Sequence, residues 1–126
     1  MNDEIRRSLA RGHTVDITTT GRRTGLPRRV EIVFHNVDGR LIITGSPRRA
    51  KRAWLHNLEA DPRLTFHLKR GTRADLPATA RVITNESERR AIAAWVVANA
   101  WPNMDVESMV GLAPMIEVTI EAVIAA

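Results

Sequence analysis

The chain has 126 residues, 44% hydrophobic and 26% charged, which is typical of one globular domain with a single core. It contains no cysteine, which excludes disulfides, thiolate metal sites and a cysteine nucleophile and suits a reducing compartment. No apolar run approaches the roughly 20 residues that span a bilayer, and the N-terminus lacks the apolar block of a secretory signal. We therefore expect a cytoplasmic protein without an integral membrane segment, and the scattered histidines predict no metal site.

The formal net charge of +5 is unevenly distributed. Residues 21–52 contain nine basic and two acidic residues, whereas the rest of the chain contains ten basic and twelve acidic ones. Nearly all the basic residues are arginine, whose planar guanidinium suits bidentate contacts with phosphate or carboxylate. Segment 21–52 therefore predicts either an anion-binding surface or a solvated basic face.

The first half of the chain predicts one short helix and three strands. Residues 2–11 predict a helix capped by Asn2 or Asp3. Alternation of apolar and polar residues then predicts a strand over 13–20 and two more on either side of Asp38-Gly39, a strong hairpin signal. These two strands cover 30–35 and 41–45.

The second half predicts three more strands and further helices. Apolar spacing indicates a helix over 48–60, which Asp61-Pro62 ends. Alternation predicts strands over 64–69, around 73–83 and over 116–121, and a capping box at 85–88 opens another helix, with a short helical piece near 105–110. Six strands joined mainly by hairpins favour a small α+β antiparallel barrel over a Rossmann sheet.

The segment TTTGRRTGLPRR, residues 18–29, predicts an anion-binding turn directly after a strand. Gly21 and Gly25 permit turn conformations, Thr20 and Thr24 add hydroxyl donors, and Pro27 stiffens the exit. The segment matches neither the Walker pattern nor GxGxxG.

A second basic cluster, GSPRRAKRAW at 45–54, is predicted to open a helix that Ser46 caps. The two basic segments frame one hairpin, which indicates a single elongated polyanionic ligand.

Several motifs follow in an order that carries a family resemblance. They are the run from Thr18 to Arg28, the Asp38-Gly39 hairpin, Thr44-Gly45-Ser46, and the stretch from Trp54 through Asn57 to Pro62. In this order the chain resembles the deazaflavin (F420)-dependent nitroreductase and quinone reductase family of split β-barrels, over roughly residues 13–83.

The resemblance implies a single split-barrel domain, 1–126, that binds coenzyme F420 through its phosphate and oligoglutamate tail. It implies hydride transfer from the reduced coenzyme to a small electron-poor acceptor, a quinone-like or nitro compound. It assigns the following residues to cofactor binding: Arg22, Arg23, Thr24, Gly25, Arg28, Thr44, Gly45, Ser46, Arg48, Arg49, Trp54 and Asn57. The chemistry needs no obligate catalytic base, although His35, His56 and Ser46 are candidate donors beside the acceptor.

The chain departs from the family pattern at two points. Ser46-Pro47-Arg48-Arg49 stands where members often have Ser-Lys-Gly-Gly, which leaves open whether Arg48 or Arg49 replaces the lysine. The chain also has no tyrosine, whereas characterised nitroimidazole reducers place tyrosines near the substrate.

Other interpretations stand beside this one. Trp54 could be a core residue as well as a cofactor contact. Asn57 could form hydrogen bonds to the backbone and not to the cofactor. FMN or heme could replace F420 on the same barrel. A basic nucleic-acid-binding module is disfavoured because the basic segments lack interleaved aromatic residues.

The remaining expectations concern surfaces and partners. His35 and His67 are predicted to sit at outward strand positions as surface or hydrogen-bonded side chains, and Trp95 and Trp101 to form core or pocket wall. Arg89 and Arg90 are predicted to lie on a solvated helix face. The expected partners are a small-molecule acceptor and a second copy of the chain in a homodimer, with peripheral membrane contact possible and no nucleic acid.

Overall fold

The computed structural model describes residues 1–121, in which six antiparallel strands close into a barrel in the order β1-β2-β3-β6-β5-β4. The predicted α+β barrel is therefore confirmed. No helix within these residues has the length and hydrophobicity needed to cross a bilayer. The elements in chain order are α1 (Asp3–Leu9), β1 (Thr14–Thr20), β2 (Pro27–Val37), β3 (Arg40–Thr44), α2 (Ala53–Ala60), β4 (Arg63–Leu68), β5 (Ala74–Val82), α3 (Glu86–Asn99), α4 (Val106–Leu112) and β6 (Met115–Ile120).

The side chains of the strands contribute to two hydrophobic clusters. The first fills the barrel, where the rings of Phe34 and Phe66 meet edge to face with centroids 5.3 Å apart and both residues are completely buried. The second lies outside the barrel wall, where Ile42 and Met115 pack against α3 and α4. Residues of β3 and β6 therefore have apolar side chains on both faces of the sheet, one toward the barrel and one toward the helices.

The barrel wall is incomplete along one strand. β2 pairs with β1 from Pro27 to Val33, but its pairing with β3 covers only Phe34–Val37. Among the described residues, 27–33 therefore have a neighbouring strand on one side only. This free edge gives the structure an opening in which backbone N–H and C=O groups are available to a ligand.

Antiparallel pairing brings the two basic segments to the same end of the barrel. Thr19 pairs with Arg28 at the end of β1, and Thr44 pairs with Met115 at the end of β3. The turn at 21–26 and the loop at 45–52 therefore both lie at this end, beside the free edge of β2.

Arg89 joins α3 to the end of α4 and is not the solvated side chain that the sequence predicts. Its half-buried guanidinium donates hydrogen bonds to four backbone carbonyls, those of Ile83, Met109, Val110 and Ala113, at 2.6–3.2 Å. Because helix C-termini leave carbonyls without partners, a buried arginine stabilises them. Arg90, in contrast, pairs with Glu86 and Glu107 on the surface, as expected.

A second polar cluster ties three strands to α3. Arg40 and Arg81 both contact Glu88 and Glu117, with Nη2–Oε2 distances of 2.6 and 2.7 Å to Glu88. The hydrogen bond from Arg81, followed by that from Arg40, lowers the pKa of Glu88 from 4.5 to about 2. A carboxyl whose folded pKa is depressed stabilises the fold above its unfolded pKa, and this contribution is lost as pH falls toward the folded value.

We therefore expect the free energy of unfolding to fall as pH drops from about 4.5 to about 2, and Glu88→Gln to remove part of that dependence. The variant should be less stable than the wild type at pH 7 and should approach it near the acidic limit. Urea unfolding at a series of pH values measures this. Glu86→Gln, which alters a carboxyl that is 78% exposed, is the matched control. A Glu88→Gln profile parallel to the wild type would contradict the assignment.

Candidate functional site

The turn after β1 is closed by its own backbone. The N–H of Gly21 donates to the carbonyl of Leu26 and the N–H of Gly25 to the carbonyl of Gly21, both at 2.8 Å. Gly25 has φ of +72°, a conformation that other residues rarely adopt. A Cβ on Gly21 would lie 2.9 Å from Thr24 Oγ1, so both glycines are required by geometry.

Asn57 holds this turn against α2. Its Oδ1 accepts a hydrogen bond from the backbone N–H of Arg22, and its Nδ2 donates to Thr19 Oγ1, both at 3.1 Å. The residue is 4% exposed, so the amide is satisfied by the turn and not by water. Asn57 therefore bonds to backbone, one of the two roles that its sequence position predicts, and it fixes the start of the arginine turn.

A groove runs from the turn along the free edge of β2. Its first cavity, of about 400 Å³, lies at the turn, and its second, of about 450 Å³, lies beside the 45–52 loop. The two cavities share Val30, Ala53 and Trp54 and are therefore adjacent. The first is also lined by Thr19, Gly21, Arg22, Arg23, Thr24, Arg28, Arg29 and Asn57. The second is also lined by Glu31, Ile32, Val33, Thr44, Gly45, Arg48, Arg52 and Trp101.

The first cavity carries uncompensated positive charge. Arg22, Arg23 and Arg28 line it, are exposed, and form no ion pair with any carboxylate of residues 1–121. Arg29 differs because its Nε donates to Asp16 Oδ2 at 2.9 Å. Three arginines without a carboxylate partner thus line one cavity, an arrangement suited to an anion with several charged groups.

The loop at 45–52 differs from its prediction. Helix α2 begins at Ala53, and its N-cap is Arg52, so Ser46 does not cap it. Ser46 instead accepts hydrogen bonds from Arg52 Nη2 through its carbonyl at 2.8 Å and its hydroxyl at 3.3 Å. The guanidinium lies so close to Gly45 that a Cβ there would be 2.9 Å from Nη2. Burial, and then repulsion by Arg48, lower the pKa of Arg52.

The other predicted residues occupy distinct places. Arg48 lines both the groove and a smaller cavity of about 190 Å³ against the end of α4, whereas Arg49 lines the smaller cavity alone. The hydroxyl of Thr44 donates to the carbonyl of Pro114 at 2.6 Å and so fixes β3. Trp54 is 8% exposed, packs in the barrel core and also lines both cavities, so it serves as core and as wall.

The candidate donors do not meet at the groove. His35, His56 and Ser46 line neither cavity. His35 occupies an outward strand position, as predicted, but it is 4% exposed because Trp95 and Trp101 cover it, and its Nε2 has no hydrogen-bond partner, so it is neither a surface nor a satisfied side chain.

His67 is also buried. Its two ring nitrogens are satisfied by Thr18 Oγ1 and Asp75 Oδ1, both at 2.7 Å. A side chain that faces outward from a strand is therefore buried where helices or polar neighbours cover the outside of the barrel.

Sequence reasoning missed several residues of the groove. Arg52 belongs to the basic segment but was not assigned to the site, and Arg29, Val30 and Ala53 are neighbours of assigned residues. Trp101, predicted as core or pocket wall but not assigned to the site, reaches the groove from the loop after α3.

Comparison with known proteins adds a family and a fold. A family model described as F420H(2)-dependent quinone reductase matches residues 2–121. A solved structure described as an F420 reductase superposes with a TM-score of 0.72 at 15% identity and covers 97% of each chain. One described as F420-H2 dependent reductase (FDR-A) gives 0.61 at 23% identity, covering 84% of this chain and 93% of its own.

The same fold also occurs in a protein described by a different ligand. The heme storage protein HutZ from Vibrio cholerae superposes with a TM-score of 0.69 at 15% identity, covering 94% of this chain and 89% of its own. At such identities structural likeness establishes the fold alone, and the ligand has to be argued from the residues of the groove.

Replacing Asn57 with alanine should lower the free energy of unfolding by about 1–3 kcal/mol, because it leaves buried groups of Arg22 and Thr19 without partners. It should also expose the 21–26 turn to limited proteolysis. Asn99→Ala is the matched control, since Asn99 makes one exposed hydrogen bond on another helix. Equal behaviour of the two variants would show that Asn57 does not fix the turn.

Proposed function

This chain belongs to the F420H(2)-dependent quinone reductase family, and on that premise we propose that it reduces a small quinone-like acceptor in the groove along β2. Membership makes the protein an F420H2-dependent reductase whose cofactor is coenzyme F420. The observation that carries the proposed site is the cluster of unpaired arginines at one end of the groove.

The donor set of the first cavity fits the acidic tail of this cofactor. The tail is a chain of phosphate and carboxylate groups, and Arg22, Arg23 and Arg28 would hold them with charge-assisted hydrogen bonds. Thr24 and Gly25 shape the turn that presents these arginines. Asn57 then acts through the turn and not on the cofactor.

The second cavity would hold the ring system. Thr44, Gly45 and Arg48 line it, and the free edge of β2 offers backbone groups to a polar ring edge. Ser46 and Arg49 lie outside this cavity, so their proposed contribution is to shape the loop.

The bound cofactor supplies the hydride, and the chain supplies orientation and charge. The indole of Trp54 and the side chain of Val30 form apolar walls that exclude water. Arg48 and Arg52 place positive charge beside the cavity, which favours negative charge that develops on an acceptor oxygen.

The alternatives receive less support from the same residues. No residue that lines either cavity is histidine, cysteine or methionine, so the groove offers no axial ligand for heme iron. FMN carries a single phosphate group, whereas the first cavity has three unpaired arginines, which suit a ligand with more anionic groups. For nitro compounds, the chain lacks the tyrosines that characterised reducers use.

Arg23→Ala combined with Arg28→Ala should raise the Kd for F420 by about 100-fold or more, since each charged hydrogen bond contributes about 1.5–3 kcal/mol. Fluorescence titrations with F420 and FMN, run in parallel, measure this. Arg70→Ala with Arg73→Ala is the control, because it removes the same charge at the opposite end of the barrel. Unchanged affinity in the first pair would refute the assignment, and tighter binding of FMN would favour the alternative.

We also propose a homodimer in the cytoplasm. The groove is open along its length, and small split barrels commonly complete such sites by pairing. The absence of cysteine suits a reducing compartment. Light scattering at micromolar concentration should give the mass of two chains, and a monomer under these conditions would count against pairing.

A further inference from the structure

His35 is buried without a hydrogen-bond partner. Its Nε2 is the one buried side-chain nitrogen or oxygen without a partner that the structure shows within residues 1–121. Burial lowers the pKa of the ring, so the imidazole is neutral at neutral pH. A buried polar group without a partner costs stability, and a phenylalanine would fill the same space without that cost. The ring therefore contributes here through its contacts with neighbouring aromatic side chains.

The neighbours of His35 are two tryptophans. The imidazole meets the indole of Trp101 nearly perpendicularly, at 83° with centroids 4.8 Å apart, and that of Trp95 at 71° and 6.4 Å. Perpendicular contacts of this kind restrict how a ring can rotate. His35 and Trp101 therefore limit each other's rotation.

Trp101 is the part of this cluster that reaches the groove. It lines the second cavity together with Trp54, whereas Trp95 lines neither cavity. Its backbone is held on both sides, since its N–H donates to the carbonyl of Val96 at 2.8 Å and its carbonyl accepts from Met104 at 3.1 Å. The backbone of Trp101 is therefore held in place, and its half-buried indole forms a wall of the cavity.

We propose that Trp101 selects planar fused-ring acceptors by stacking against them, and that His35 is the positioning residue that holds its indole. The inference rests on the proposed function, because the acceptor would occupy the same cavity. A cavity of about 450 Å³ with an indole wall favours a flat aromatic molecule, and a fused second ring gains contact area that a single ring lacks.

Binding is measured first without turnover. Protein saturated with oxidised F420 is titrated by calorimetry with menadione, a two-ring quinone, and with 1,4-benzoquinone, a one-ring quinone. Trp101→Ala should raise the Kd for menadione at least tenfold while changing that for benzoquinone less than twofold. Trp101→Phe should recover most of the loss. KM and kcat with reduced F420 follow, and the change should lie in KM for menadione.

The role of His35 is tested with two variants. His35→Ala should raise the menadione Kd about fivefold, and His35→Phe, which retains a ring against Trp101, should restore it. Trp95→Phe is the matched control, because it alters the same aromatic cluster without touching the groove. A His35→Ala protein that melts at a lower temperature but binds menadione normally would overturn the positioning role. Should His35→Ala not fold, His35→Phe and Trp101→Phe still carry the comparison.

The outcomes separate this inference from the proposed function. Equal losses of menadione and benzoquinone in Trp101→Ala, or the same loss in Trp95→Phe, would overturn selection by Trp101 while leaving F420 binding intact. Failure of the wild type to bind F420 would instead overturn the proposed function. In that case, menadione titrations of the wild type and of Trp101→Ala, both without cofactor, would test the role of Trp101 independently of F420.

Discussion

The buried side-chain amide of Asn57 connects helix α2, which lies beside the groove, to the turn that presents arginines to the groove. Arginines on a short turn repel one another, and no carboxylate of the described residues offsets Arg22, Arg23 or Arg28. The turn keeps its shape because backbone hydrogen bonds close it and Asn57 anchors its first arginine. The arginines are thereby presented to a ligand before one arrives, which reduces the ordering cost of binding.

The structure separates paired charges from unpaired ones. Arg40 and Arg81 share Glu88 and Glu117, and Arg89 binds carbonyls at the end of α4. These arginines join strands and helices on the wall that carries the second hydrophobic cluster, whereas the unpaired ones lie beside the free edge of β2. The same residue type thus stabilises one side of the molecule and prepares the other for an anion. Local sequence does not distinguish the two uses, because the partners of Arg40 and Arg89 come from distant segments.

The sequence predicted the elements well and the site only in part. Strand alternation is a local property, so the six strands and the arginine turn could be read directly. The start of α2 could not, because Ser46 is a good cap by local preference but is bound by the side chain of Arg52. The burial of His35 could not be predicted for a related reason: its outward position is covered by a helix and loop some 60 residues away in sequence. Trp101 reaches the groove through that same tertiary contact, and no nearby sequence motif predicts it.

The free edge of β2 has one more consequence. A row of unpaired backbone groups invites another polypeptide to add a strand, which is how sheet proteins aggregate. Here Pro27 begins that edge and cannot donate a hydrogen bond, and arginines at 28 and 29 would repel an identical edge brought against them. The cations therefore also oppose the direct pairing of two β2 edges while the groove is empty. Changes that neutralise them to weaken ligand binding would at the same time lower its colloidal stability.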